Sequence, residues 1–251
     1  TVKESQSTAR YLEGARAYER ISHLVYFENN TFGTVAAGLA SLNLSERVPT
    51  SPELVRAYGT TEVTSGLMGL HKVALNYERL ARESSEAVRG QPGFLAAEGW
   101  RLMMVGTYHA GADSLETAIR AMDDAVKIWE QLGEKQRWKE TLSLVSTMNV
   151  YYCDLQTAYR RIEQFHQAAL QERNEQFRFW ALLTKGMALQ IEGKLEEAHA
   201  ALEDALSGGL AMAPADQIWH GGIMTRALLQ ENQFEQAVVE AEKVAKLIAT
   251  S

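Results

Sequence analysis

One cysteine, Cys153, occurs in 251 residues. A lone thiol excludes an intrachain disulfide and fits a reducing, cytoplasmic setting. Prolines are also scarce: Pro49, Pro52, Pro92 and Pro214 are all there are. Long stretches are therefore free to be helical. The prolines mark where helices begin, because the first turn has no use for the missing N–H. No lysine- or arginine-rich run is present and the formal net charge is −7, which argues against a nucleic-acid partner. Nowhere do roughly 18 apolar residues run together, so no membrane span is expected. No signal peptide opens the sequence. It starts with Thr1 and not with Met, which reads as a piece of a longer protein.

Signatures of catalysis are missing too. A phosphate-cradling loop needs glycines, a lysine and a hydroxyl at fixed spacing, but Gly193-Lys194 is followed by Leu195. No His-Glu-x-x-His occurs, and His23, His71, His109, His166, His199 and His220 stand apart from one another. Acidic neighbours such as Asp123-Asp124 and Glu196-Glu197 diverge on a helix and cannot face one bond. Cys153 lies beside Asp154, whose charge disfavours a thiolate. The expectation is a protein with no catalytic residue, no metal and no cofactor: not an enzyme.

What is present is a ladder. Hydrophobic residues make up 46% of the chain, enough for a large core, and they recur in a fixed pattern. A large apolar residue follows a turn at Phe32, Leu70, Leu115, Leu155, Leu195 and Phe234. Three positions on stand Val35, Val73, Ala118, Ala158, Ala198 and Ala237. The intervals between the large residues are 38, 45, 40, 40 and 39. Nine positions before each large residue come His23, Thr61, Gly106, Ser146, Gly186 and Thr225. All but His23 are small, as a close approach of two helices requires. Fifteen positions before Leu115, Leu195 and Phe234 come Trp100, Trp180 and Trp219. Turn and cap residues punctuate the ladder: Asn29-Asn30, Ser51-Pro52, Gly69, Gly90, Asp113 with Glu116, Asp154, Gly193 and Asn232. Six helix-turn-helix repeats follow, at about 8–48, 52–90, 92–133, 135–173, 174–209 and 214–250, in a single domain.

This pattern resembles the tetratricopeptide repeat. Gly186, Leu195, Ala198 and Leu202 match that motif in order, as do Gly106, Leu115, Ala118 and Met122. The period near 40 exceeds the usual ~34, so the helices should be longer. The resemblance implies an all-α fold, a right-handed α-solenoid of about six repeats. Val25 to Glu46, VYFENNTFGTVAAGLASLNLSE, is similar to the C-terminal arm of bacterial nucleotide-cyclase proteins that carry an AAA- or STAND-type ATPase. That similarity implies a regulatory arm whose cyclase and phosphate-binding loop lie elsewhere in the polypeptide.

In such arrays the first helices line a concave groove. Positions eight and twelve before each large residue are then the inward-facing set: Tyr58, Glu62, Met103, Thr107, Ser143, Thr147, Leu183, Met187, Gly222 and Arg226. The partner-binding candidates are Tyr58, Glu62, Trp100, Met103, Thr107, Trp180, Met187, Trp219 and Arg226. The tryptophans have two readings, as packing between repeats or as flat anchors for a peptide. Replacing Glu62 or Arg226 is expected to leave the fold intact and weaken a ligand.

The functional expectation is a non-catalytic interaction or regulatory arm of a bacterial signalling protein. Its partner would be a protein or peptide segment, its own NTPase module included. The alternative is a self-associating scaffold, a homodimer stacked through its end repeats. Val238, Val239, Val244, Leu247 and Ile248 make the last helix apolar for an end repeat.

Overall fold

The computed structural model describes residues 2–28, 30–112, 114–207 and 213–250. Among the described residues there are twelve α-helices and no strand. They are α1 (Val2–Phe27), α2 (Thr31–Ser45), α3 (Pro52–Leu67), α4 (His71–Ala87), α5 (Phe94–Gly111) and α6 (Leu115–Leu132). There follow α7 (Lys135–Tyr151), α8 (Leu155–Glu172), α9 (Glu175–Glu192), α10 (Leu195–Leu206), α11 (Pro214–Gln230) and α12 (Phe234–Thr250). The all-α class is thus observed. None of these helices is long and apolar enough to cross a membrane.

The chain divides into two compact units, Thr1–Thr141 and Leu142–Ser251, with the division inside α7. In the N-terminal unit α1 packs on α2, α3 on α4 and α5 on α6. Each second helix also meets the next first helix, α2 against α3 and α4 against α5. The C-terminal unit repeats this, with α9 on α10, α11 on α12, α8 against α9 and α10 against α11. Short links force the pairing, since a chain that turns in a few residues must lie back on the helix it has left.

The ends of the helices follow local chemistry. Ser51 accepts from the Leu54 N–H at 3.3 Å and Pro52 opens α3, as expected. Asp154 accepts from the Thr157 N–H at 3.2 Å and starts α8. Gly193 sits at φ 77, where a side chain would be strained, and lets the Lys194 N–H return to the Leu189 carbonyl. Cys153, Arg173 and Asn232 make the same left-handed turn without glycine. Asn29, Asp113 and Gly209 lie outside the described residues. The first helix starts at Val2 rather than near Thr8, because residues 2–7 contain no glycine or proline to stop it.

The small residues do what close approach demands. A methyl group at Gly106 would come within 2.6 Å of Met122 Cγ, and one at Gly186 within 2.8 Å of Leu202 Cγ. Thr61, Ser146 and Thr225 turn their hydroxyls back to the carbonyls of Ala57, Leu142 and Gly221, four residues earlier. In the second repeat the register differs by one from the expectation. Helix α4 begins at His71, so Ala74 is buried and Val73 is exposed. Ala118, Ala158, Ala198 and Ala237 are buried as expected.

Candidate functional site

Side chains on the first helices of each unit bond across to neighbouring first helices. In the N-terminal unit α1 and α3 are tied by charge. Arg16 Nη2 lies 2.7 Å from Glu53 Oε1, and Arg56 Nε lies 3.1 Å from Glu19 Oε1. Each arginine has an acidic partner, so this strip offers no free anion site.

Further along the same helices two aromatic side chains and a guanidinium come together. Trp100 of α5 donates from Nε1 to Thr60 Oγ1 of α3 at 3.1 Å. Its ring lies 5.0 Å from that of His23 on α1. The guanidinium carbon of Arg137 on α7 sits 4.6 Å above it, in cation–π contact. Arg137 Nη2 is 3.5 Å from His23 Nδ1. Burial lowers the His23 pKa, and the Arg137 charge lowers it further, so the imidazole stays neutral and can face the cation. Trp100 is left 4% exposed.

One turn beyond Tyr58, Glu62 is 0% exposed. Neither carboxyl oxygen has a hydrogen-bond partner among the described residues. Burial, with the Glu78 charge adding to it and Arg101 opposing it, raises its pKa to about 8. Arg101 cannot rescue the carboxylate fully, because it is held by Glu98 at 2.6 Å. Glu78 faces His109 Nε2 at 3.2 Å. At neutral pH the buried group is therefore mostly a neutral acid.

A cleft of about 580 Å³ opens at the other end of α1 and α3. It is lined by Thr8, Leu12 and Arg16, by Thr50 to Glu53, and by Gln91 to Gly93. Its two arginines, Arg16 and Arg56, are the ones already paired.

The C-terminal unit presents a different face. Trp180 of α9 is half-buried and donates from Nε1 to Asp216 Oδ1 of α11 at 2.9 Å. Gln176 donates to the other Asp216 oxygen at 2.9 Å. Lower down, exposed Arg226 donates from Nε to Gln190 Oε1 at 2.6 Å, while the Gln190 amide donates to the Ile223 carbonyl. Asp216, Trp219, Ile223 and Arg226 recur at helical steps and share one side of α11. The result is a surface with two half-buried indoles, a carboxylate and a guanidinium.

The nine sequence-derived candidates separate accordingly. Glu62, Trp100, Met103 and Met187 are buried, and so cannot meet a ligand from outside as they stand. Tyr58 is half-buried against Tyr77, and Thr107 is half-buried with its hydroxyl on the Met103 carbonyl. Trp180, Trp219 and Arg226 remain accessible, all in the C-terminal unit. Of the other inward-facing positions Ser143, Thr147 and Leu183 are buried, and Gly222 is exposed. The reason is common to all: a first helix packs on its own partner, on the preceding second helix and on adjacent first helices. Residues eight and twelve before the turn fall largely into those contacts. Asp216 and Gln190 were not singled out by sequence; only their position on the tryptophan-bearing helices could have marked them. The exceptional His23 among small residues was the one visible sign of the Trp100 stack.

Among the described residues no group of three or more His, Cys, Asp or Glu side chains could hold a metal ion. No protein-family model matches the chain, and no curated protein matches it either.

Proposed function

We propose that the chain is a helical-repeat protein-interaction module of tetratricopeptide-like kind, a right-handed solenoid without catalytic activity. It binds a partner segment along the first-helix groove. The observation that carries this reading is a set of bonds between successive first helices at nearly constant separation. Glu19–Arg56, Thr60–Trp100, Thr147–Thr184, Trp180–Asp216 and Gln190–Arg226 span 37, 40, 37, 36 and 36 residues. One supersecondary unit repeated near that length accounts for all five. In this reading the partner meets α9 and α11, where Trp180 and Trp219 supply flat apolar area and Arg226 a charge. A regulatory arm of a larger bacterial signalling protein, facing its own NTPase module, is the setting that the Val25–Glu46 similarity favours.

A displayed library of random peptides panned against the protein tests the binding face. Enriched peptides should lose at least about tenfold in affinity when Trp219→Ala or Arg226→Glu is introduced, with helical circular dichroism unchanged. Peptides that bind both variants as well as the parent, or no enrichment at all, would sink the reading.

A second reading, self-association, is favoured by one observation: Phe234, Val238, Val239 and Ile248 on α12 are all more than half exposed. Contiguous apolar area of that kind marks an interaction surface.

A further inference from the structure

On α12, Phe234, Val238, Ala241, Ala245 and Ile248 recur at steps of three or four and form one stripe. All five are exposed, Val238 to 57% and Ile248 to 59%. The stripe lies beside the inner side of the helix, where Ala237 is buried and Val244 packs on Gly221 of α11. On α1, Tyr11, Tyr18 and Ile21 are also exposed at helical spacing, Tyr18 to 41%.

Equivalent positions inside each unit are covered by a neighbouring helix. His199 and Leu202 of α10 stand thirty-nine positions before Val238 and Ala241. His199 Nδ1 lies 3.1 Å from Glu231 Oε2 at the end of α11, and the Leu202 carbonyl accepts from His220 Nε2 of α11 at 3.0 Å. The second helices α2 and α4 begin forty residues apart, at Thr31 and His71, so Ala57 and Tyr58 of α3 stand where Ala17 and Tyr18 stand on α1. Ala57 is clustered with Leu42 of α2, and Tyr58 packs against that cluster. So the α12 stripe has the register of a surface that a first helix covers. The α1 face has the register of a surface that a second helix covers.

We propose that a second copy of this chain stacks head to tail on these faces, α1 of one copy lying on α12 of the other. The contact between chains then continues the one that α2 makes with α3 and α10 with α11. This rests on the self-association reading and adds its geometry: a heterologous contact between two different surfaces. Charge favours it over pairing of α12 with itself. Exposed Glu235 and Glu242 flank the α12 stripe, and exposed Arg10 lies about three turns before Ile21 on the same side of α1. A two-fold pairing centred on Ala241 would instead bring Glu242 towards its own counterpart.

Two exposed substitutions test the arrangement, Tyr18→Glu on α1 and Val238→Glu on α12, each with circular dichroism to confirm the fold. Light scattering of the parent protein should show mass rising with concentration to at least twice that of the monomer. Each variant alone should stay monomeric at concentrations at least about ten times higher, since the buried charge has no partner. Mixed in equal amounts, the two variants should form a dimer and nothing larger, because one intact α1 face meets one intact α12 face. A parent that is monomeric throughout overturns both self-association and this geometry. Tyr18→Glu that dimerises alone, with no gain on mixing, overturns the head-to-tail contact and leaves self-association standing.

Discussion

Trp100 and Trp180 occupy the same register, each fifteen residues before the apolar residue that follows its turn. In the N-terminal unit the indole is capped by His23 and Arg137 and almost sealed. In the C-terminal unit it is half-buried, and its N–H is held by a carboxylate on the next first helix. The residue type and its place in the repeat are the same; the neighbours differ. A tryptophan at a repeated position is thus packing in one context and an accessible aromatic surface in another. The buried Glu62 sharpens the contrast, for the N-terminal unit hides a titratable group where the C-terminal unit, eight residues before Leu195, has the neutral Met187.

Three measurements bear on that contrast, beginning with the largest effect. Trp100→Ala should cost about 3–5 kcal/mol, in the range for a large buried aromatic. Trp180→Ala should cost less but still more than about half of that, because only part of its ring stays in water. Urea denaturation of each variant gives both values, and equal costs would erase the distinction between the two faces.

Glu62→Gln comes next, and its sign follows from linkage. The folded-state pKa is about 8, above the ordinary 4.5, so the folded form holds the proton more tightly than the unfolded chain. Stability is then fully present below the unfolded value, falls as pH rises from there, and is fully lost once pH has passed the folded one. At pH 7 the loss is on the order of 3 kcal/mol. The amide of the variant cannot ionise, so it should match the parent near pH 4 and exceed it by roughly 2–3 kcal/mol at pH 7. Melts from pH 4 to 9 that run parallel for both proteins would show that Glu62 does not carry the penalty. The expectation that Glu62 is an open, freely replaceable position does not agree with its full burial.

The smallest effects lie at the helix crossings. Gly106→Ala and Gly186→Ala should each cost about 1–3 kcal/mol by overpacking. Gly106 should cost more, because a methyl there also meets the Ala118 carbonyl at 3.1 Å, against 3.4 Å from Ala198 for Gly186. A carbonyl in a helix yields less readily than the end of a leucine. Thermal unfolding of the two variants should reproduce that order.

Much of the local structure was legible because it depends on near neighbours in the chain. Ser51 before Pro52 and Asp154 before α8 act through groups three residues away, and Gly193 through its own φ. The crossings at Gly106 and Gly186 were legible because no larger residue could stand there. The exposed side of each first helix was not. Whether Glu62, Met103 or Met187 meets water depends on helices some forty residues distant, and a helical period identifies a face without saying what lies against it. His23 shows the same limit, since its partners Trp100 and Arg137 lie 77 and 114 residues further along.

Composition, proline positions and the recurring ladder by themselves determined that the described residues form helices without strands, and where most of those helices turn back. Those properties follow from backbone geometry and from side chains within a turn or two. Tertiary structure alone decided that Trp100 is nearly sealed and Trp180 partly open, that Glu62 is buried with no hydrogen bond among the described residues and its pKa pushed up, and that α12 keeps an apolar side exposed. Burial and electrostatics depend on what surrounds a group in space, and two copies of one motif with different neighbours acquire different chemistry.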